Sequence, residues 1–254
     1  GYLAHLEELS GQADQALALA RSAALASVND YPALSYRWLW QIGRLEAAAG
    51  RTEPALAAYR ESISILQRIR SQLLQNGFQT FRERVFPVYN EFVLLLLQTA
   101  DAAADNSARQ AALDEAQQVI ESFNESEILD YFADDCIIPR SVASLGTVEP
   151  DTAVVYQFVL DSEVAVLARF PDGMHLFHSR VDRDYLISLA MEFRDLLSGQ
   201  ESEDEVREVA EELYAVLIAP LEPLLDTHET SRIVFIPSAS LRTIPRAALH
   251  DGND

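Results

Sequence analysis

Apolar residues recur at helical spacing along the first half of the chain and at alternating spacing after it. Residues 1–135 are rich in Ala, Leu, Gln, Glu and Arg, contain little Gly, and predict helices throughout. From Ala153 the period changes to two in AVVYQFVL, EVAVLARF and MHLFHSR, with turns at Asp161-Ser162 and Pro171–Gly173. The pattern therefore predicts a multi-domain chain, all-α first and α/β afterwards.

Two helices and a buried strand are predicted after this three-stranded meander. Asp182 is a typical N-cap, and the helix that follows presents an apolar face made of Leu186, Leu189, Ala190, Phe193 and Leu197. The second helix presents Val206, Val209, Leu213, Val216 and Leu217. Ile233–Ile236 is an unbroken apolar run, which predicts a strand covered on both faces, whereas the alternation in the meander predicts one solvent-exposed face there.

Small residues in the helical half are spaced as in a helical repeat. In WLWQIGRLEAAAGRTEPALAAYRESISIL, Gly43 lies inside one predicted helix, Gly50 at the turn, and Ala55 and Tyr59 in the next helix. Small residues at a helix crossing let two helices approach closely. The segment resembles a tetratricopeptide repeat, and LSGQADQALALARSAALAS is a weaker copy. The resemblance implies tetratricopeptide-like hairpins that bind a protein or peptide partner.

The second half resembles a different family. Its order is an acidic segment (LDYFADDCI), a meander, two helices, and then RIVFIPSASLRTIPRAALHDG, from Arg232 to Gly252. This order resembles the CHAT domain, a caspase-related domain found behind tetratricopeptide repeats in bacteria. Arg246 departs from the family, which usually carries an apolar or aromatic residue there. We therefore predict a tetratricopeptide-like region at 1–135, a linker at 136–152, and the N-terminal part of a CHAT domain, truncated at its C-terminus, at 153–254.

The resemblance implies a catalytic His and Cys downstream of the strand at Ile233–Ile236 and outside these 254 residues. Three interpretations follow. The parent protein is a caspase-like cysteine peptidase controlled by its helical region, in which case this chain is a non-catalytic fragment that lacks the C-terminal half of its CHAT domain. Alternatively, the protein is a scaffold whose CHAT domain has lost the dyad, or a peptide-binding adaptor that acts through the helical repeats.

Several residues invite a catalytic or metal-binding interpretation, but none is predicted to carry one. Cys136 follows two aspartates, which would raise the pKa of a thiol and weaken it as a nucleophile. His175 and His178 are three positions apart on a predicted strand and so face opposite sides. His250 precedes a predicted turn, and the acidic run 201–212 lacks the spacing of a calcium loop. We predict no catalytic residue, no metal and no cofactor.

Arg242 is the one candidate site residue. It follows the strand at Ile233–Ile236, and ligands of such sheets bind at the carboxyl ends of the strands. Its guanidinium is predicted to hold either an acidic group of a substrate or a structural ion pair. Trp38, Trp40 and Tyr59 are compatible with a peptide groove, but their positions favour packing between helices.

Charge and composition exclude several classes of function. The net charge is −21, and all 19 basic residues are Arg. An acidic chain without a basic stripe is a poor partner for nucleic acid or anionic membranes. The lack of Lys excludes a P-loop lysine and a Schiff base. The single Cys excludes an internal disulfide and is compatible with a reducing compartment, so we predict a cytoplasmic protein.

Overall fold

The computed structural model divides the chain into two compact units, Gly1–Ile138 and Pro139–Asp254, called here the helical unit and the α/β unit. Each is described by itself. The predicted change from helices to a mixed α/β region is confirmed. The structure describes residues 2–27, 31–74, 78–132, 149–160, 162–199, 202–237 and 241–252.

The described part of the helical unit consists of helices, because apolar side chains recur along one face of each segment and breakers stand at the segment ends. Pro32 lies in the first turn of α3, and Gly50 follows that helix in the left-handed conformation with a φ of 72°. The helices are α1 Tyr2–Leu9, α2 Ala13–Ser27, α3 Pro32–Ala48, α4 Thr52–Leu74, α5 Phe78–Asp101 and α6 Asn106–Phe132.

Neighbouring helices along the chain pack against each other. In the α3–α4 pair, Gly43 lies against the ring of Tyr59, and Ser62 donates a hydrogen bond to the Tyr36 carbonyl at 2.9 Å. The contact moves forward along α4, from Tyr59 to Ser62, as it moves back along α3, from Gly43 to Tyr36. The two helices are therefore antiparallel. Ala55 of α4 is fully buried. The predicted close approach at Gly43 is thus present, and Tyr59 is the residue that fills the space.

The described strands of the α/β unit form a four-stranded mixed sheet in the order β3-β2-β1-β4. The first three strands are the predicted antiparallel meander, and β4 pairs in parallel with β1, with Val154 opposite Val234 and Val155 opposite Phe235. Residues 238–240, which follow β4, lie outside the described part. The strands are β1 Thr152–Val159, β2 Glu163–Phe170, β3 Gly173–Arg180 and β4 Arg232–Pro237.

Two expectations about strand burial are wrong. The meander has no solvent-exposed face along β1, because Val154 and Tyr156 are as fully buried as Val155 between them. Conversely, β4 is half-buried, and Val234 is 41% exposed. Strand order contributes to the difference, because the side chains of β1 have a neighbouring strand on each side, whereas β4 pairs with β1 alone among the described strands.

The helices of the α/β unit cover one face of the sheet. α7 (Arg183–Ser198) begins as predicted at Asp182, whose carboxylate accepts hydrogen bonds from the next turn. α8 (Glu203–Leu217) begins at Ser202 with a capping box to Glu205, and the described part of the acidic run lies in the first part of this helix.

The apolar faces of α7 and α8 form one core with the sheet. Of the predicted face of α7, Leu197 alone is exposed. The short α9 (Glu222–Thr227) leads into β4. The core residues on the two longer helices are Leu186, Leu189, Ala190, Phe193, Val209, Ala210, Leu213 and Leu217. Among the described residues, no helix is long and apolar enough to cross a bilayer.

Candidate functional site

A cavity of about 410 Å³ lies between three helices of the helical unit. Most of its lining comes from α3, and α1 and α5 contribute two residues each, including Pro87 inside α5. The residues lining the cavity are Tyr2, His5, Tyr36, Arg37, Trp38, Trp40, Gln41, Arg44, Arg84 and Pro87. We call this cavity the aromatic–arginine groove.

Hydrogen bonds hold Trp40 in the wall of the groove. Its indole nitrogen donates to Glu91 Oε2 at 2.6 Å, and Tyr59 donates its hydroxyl to the same oxygen at 2.9 Å. The Arg44 guanidinium lies 4.5 Å from the Trp40 ring centre, a cation–π distance. Burial, together with the carboxylate of Glu91, raises the pKa of Tyr59 well above its usual value. Tyr59 therefore stays protonated and keeps donating to Glu91.

Arg44 is also fixed from the other side of the groove. Its guanidinium makes two hydrogen bonds with the Glu8 carboxylate, at 3.1 and 3.0 Å, and Gln41 donates to the same group at 2.8 Å. Burial acts to raise the pKa of Glu8, but Arg44 outweighs it, and the pKa lies below its usual value. The ion pair ties α1 to α3 and makes this wall of the groove rigid.

Two further arginines give the groove its electrostatic character. Arg37 lies over the Tyr36 ring and donates to the Tyr36 hydroxyl at 3.2 Å, and Arg84 is exposed on α5. Within the described part of the chain, neither makes an ion pair with a carboxylate. In a protein of net charge −21, two guanidinium groups without carboxylate partners beside aromatic rings form a local site for an anionic group.

The prediction of packing between helices holds for Tyr59, and Trp40 also reaches from α3 to Glu91 on α5, although both tryptophans line the groove as well. Both indoles are half-exposed and line the groove. Tyr59 is 2% exposed and stacks on Phe92 with 5.6 Å between ring centres. Periodicity alone cannot separate these roles, because a groove wall and a core position share the same spacing along a helix.

The segment after β4 contains the predicted site residue Arg242. It lies in a turn between two buried residues, Leu241 and Ile244, and its own side chain is exposed. Arg242 follows β4 in the chain, and its substrate or ion-pair role stays a prediction.

Arg246, where the CHAT resemblance leads to an expected apolar or aromatic residue, contacts the sheet directly. Its Nη2 donates to Gln157 Oε1 at 2.7 Å, and its Nη1 donates to the Ile244 carbonyl at 3.2 Å. Gln157 is buried at the end of β1 and donates in turn to the Leu217 carbonyl at 3.0 Å. Burial lowers the pKa of Arg246 to about 10. The network joins β1, the end of α8 and the segment after β4.

The remaining candidates are not brought together as a catalytic pair. Cys136 lies outside the described residues. His178 is 3.0 Å from Glu163 on the neighbouring strand, and His250 accepts a hydrogen bond from the Gly252 amide. His175 lies instead beside Asp172 and His228, a grouping that sequence reasoning missed because His228 is far away along the chain.

Comparison with known families agrees with the resemblance seen in the second half of the chain. Residues 207–254 match the family model of the CHAT domain. The match spans most of α8, all of α9 and β4, and the segment containing Arg242 and Arg246, and a helical region precedes it. No match to the chain is found among curated proteins.

Proposed function

We propose that this chain is the partner-binding and N-terminal part of a CHAT-domain protein, and that its helical unit binds an acidic peptide in the aromatic–arginine groove. The parent protein would be a caspase-like cysteine peptidase whose activity this binding controls. The observation that carries the proposal is the groove itself: two partly exposed indoles, and two guanidinium groups that pair with no carboxylate of the described residues, in a strongly acidic chain.

The chemistry of the groove favours one kind of ligand. Aromatic rings offer apolar surface to a peptide backbone or side chain, and Arg binds carboxylates through two parallel hydrogen bonds. Arg44 is already engaged by Glu8, so the binding groups are Arg37 and Arg84. A peptide carrying two carboxylates fits this set better than a neutral or basic one. The antiparallel α3–α4 pair, whose sequence resembles a tetratricopeptide repeat, supports a peptide-binding role for the helical unit.

In this proposal, the catalytic His and Cys are supplied by sequence outside these 254 residues. The described strands would be the start of the caspase-like sheet, with Arg242 near the carboxyl end of β4 as a candidate for holding a carboxylate of substrate. This part of the proposal rests on the CHAT match alone.

An adaptor or scaffold role is the second candidate. The residues that line the groove all belong to the helical unit, so binding requires nothing from the α/β unit. A parent protein that binds the peptide but has no peptidase activity would favour this interpretation. Both candidate functions therefore use the groove to bind a peptide. They differ in whether this binding controls a peptidase activity or only brings proteins together.

Peptide binding can be measured through Trp38 and Trp40, because they are the two tryptophans of the chain. Fluorescence titration with an Asp/Glu-rich peptide library should show saturable binding that weakens with added salt. Arg37→Gln and Arg84→Gln should each weaken binding about tenfold. Arg68→Gln, an exposed arginine on α4 outside the groove, is the matched control. Equal binding of neutral peptides, or equal loss with Arg68→Gln, would contradict the proposal.

The peptidase part has a separate test. The 254-residue chain is expected not to cleave a broad peptide library, because the proposal places the dyad elsewhere. Cleavage that is lost on Cys136→Ala would show that this chain carries its own nucleophile. It would contradict the proposal that the catalytic His and Cys lie outside these 254 residues. Groove binding would be unaffected by that result.

A further inference from the structure

Three potential metal ligands meet at one end of the sheet in the α/β unit. His175 Nε2 lies 3.0 Å from Asp172 Oδ1, and His228 Nε2 lies 3.2 Å from the same oxygen. All three donor atoms lie within 4.8 Å of one another. They come from the β2–β3 turn, the start of β3 and the end of α9, so the fold, not the local sequence, assembles them.

Strand register explains why these residues meet. Val154 near the start of β1 pairs with Arg169 near the end of β2, and Thr152 pairs with Arg232 at the start of β4. The β2–β3 turn and the segment that enters β4 therefore lie at the same end of the sheet. The Arg246–Gln157 network and Arg242 lie at the opposite end, beyond the carboxyl end of β4.

Phe170 fixes both imidazole rings. The His228 ring stacks on it with 4.9 Å between centres, and the His175 ring meets it edge-on at 5.6 Å. The His228 nitrogen is buried and makes no hydrogen bond with any described residue, even though Asp172 Oδ1 is only 3.2 Å away. The nitrogen is thus within ion-pair distance of the carboxylate but is not oriented to share a proton with it, which leaves a buried donor atom that a bound metal ion would satisfy.

We propose that Asp172, His175 and His228 bind one divalent transition-metal ion of the Zn²⁺ class. Bonds of about 2.1 Å from a tetrahedral metal place its ligand atoms about 3.4 Å apart, which small shifts of these side chains would reach. Two imidazoles and one carboxylate are the donors that such metals prefer over Mg²⁺ or Ca²⁺. Three protein ligands leave a coordination position for water, so the ion would be exchangeable.

The bound ion would cross-link the β2–β3 turn and the segment that enters β4. Its ligands must be deprotonated, and binding to the folded chain alone would stabilise the α/β unit. The site belongs entirely to that unit and does not rest on peptide binding by the helical unit.

Isothermal titration of the full chain with Zn²⁺ tests the proposal, and Cys136→Ser is used as the background to remove the thiol as a competing ligand. We expect one site per chain, weakened about 100-fold or more by Asp172→Asn, His175→Gln or His228→Gln, since loss of a ligand should exceed the effect of losing a residue that only supports one. His178→Gln is the matched control, because His178 also faces a carboxylate at 3.0 Å but belongs to no three-ligand group among the described residues.

Co²⁺ gives a second readout that does not depend on folding stability. The proposal expects a visible d–d spectrum of tetrahedral, nitrogen-ligated Co²⁺ that disappears in His175→Gln and His228→Gln and persists in His178→Gln. Circular dichroism of each metal-free variant checks that it is folded. Zn²⁺ binding that is equal in all four variants, or a Co²⁺ spectrum typical of the hydrated ion, would overturn the proposal and leave an ordinary Asp–His cluster.

Discussion

The guanidinium of Arg246 donates a 2.7 Å hydrogen bond to the buried amide oxygen of Gln157, across 89 residues of sequence. The bond explains how the chain accommodates an arginine where the family usually carries an apolar residue. Gln157 lies near the end of β1, and Arg246 donates the hydrogen bond that the buried side-chain oxygen of Gln157 accepts. The Phe235 ring lies 5.7 Å from the guanidinium and covers it.

Replacing Arg246 by Met should destabilise the α/β unit. The Gln157 oxygen would lose its donor while remaining buried, which costs about 1–3 kcal/mol. Hydrogen exchange of the β1 amides measures the loss, because both tryptophans lie in the helical unit and do not report on this one. Arg242→Met, at an exposed position in the same segment, should cost less than about 1 kcal/mol. A more stable Arg246→Met would mean that desolvation of the charge outweighs the hydrogen bonds.

Gly43→Ala should destabilise the helical unit even though alanine favours helices. A β-carbon at Gly43 would lie 2.7 Å from a ring carbon of Tyr59. That ring is held by Phe92 and Glu91, so it cannot move away cheaply. Overpacking of this kind costs about 1–3 kcal/mol, against roughly 1 kcal/mol gained by alanine over glycine.

Urea unfolding followed by tryptophan fluorescence checks the Gly43 prediction. In a Tyr59→Leu background the ring is absent, and Gly43→Ala should then be neutral or stabilising. The two substitutions should therefore be strongly non-additive. If Gly43→Ala stabilises the otherwise unchanged chain, the close approach described for α3 and α4 is not tight.

Tyr59 should make the helical unit sensitive to alkali. Its pKa is raised in the folded chain, above the ordinary value of 10.0 that applies when the chain is unfolded. As pH rises above 10, the unfolded state loses this proton while the folded state keeps it, so the free energy of unfolding falls.

Tyr59→Phe removes the titrating group and should flatten this alkaline decline. Urea unfolding at about pH 8 and about pH 11, again by tryptophan fluorescence, compares the two chains. Tyr2→Phe, at an exposed position of α1, is the control and should decline like the unchanged chain. An unchanged slope in Tyr59→Phe would show that Tyr59 is not protected from ionisation.

The two faces of β4 should respond differently to substitution. Phe235 packs on the core, so Phe235→Ala should cost roughly 2 kcal/mol, less than the 3–5 kcal/mol typical of a fully buried phenylalanine. Val234 is 41% exposed, and Val234→Thr should change stability by less than about 0.5 kcal/mol. Hydrogen exchange of β4 measures both. Equal losses would restore the original expectation of a strand covered on both faces.

The elements that could be predicted are those determined by residues close together in the sequence. The N-cap at Asp182, the strands of the meander and the small residue at Gly43 each follow from neighbouring positions in the sequence. The exposure of Val234 was not predictable, because it depends on which strand pairs with β4. Similarly, Trp38 and Trp40 have the spacing of core residues, and only the positions of α1 and α5 leave a cavity beside them.

The candidate sites were less predictable than the fold for the same reason. The sequence pairs His175 with His178, its near neighbour along the strand, whereas its neighbours in space include Asp172 and His228 from the end of α9. Arg246 was seen as a departure, but its partner Gln157 could not be named without the parallel pairing of β1 with β4. Pairings between distant segments carry no periodic signature in a single sequence.

The parallel pairing of β4 with β1 also orders the steps by which the α/β unit folds. β1, β2 and β3 are joined by tight turns and form contacts that are close in sequence, whereas the bond from Ser231 to Asp151 closes a loop of 80 residues. Closing a long loop is entropically slow compared with forming a hairpin. The meander should therefore form early, and docking of β4, with the CHAT-matching segment behind it, should be the later and slower step.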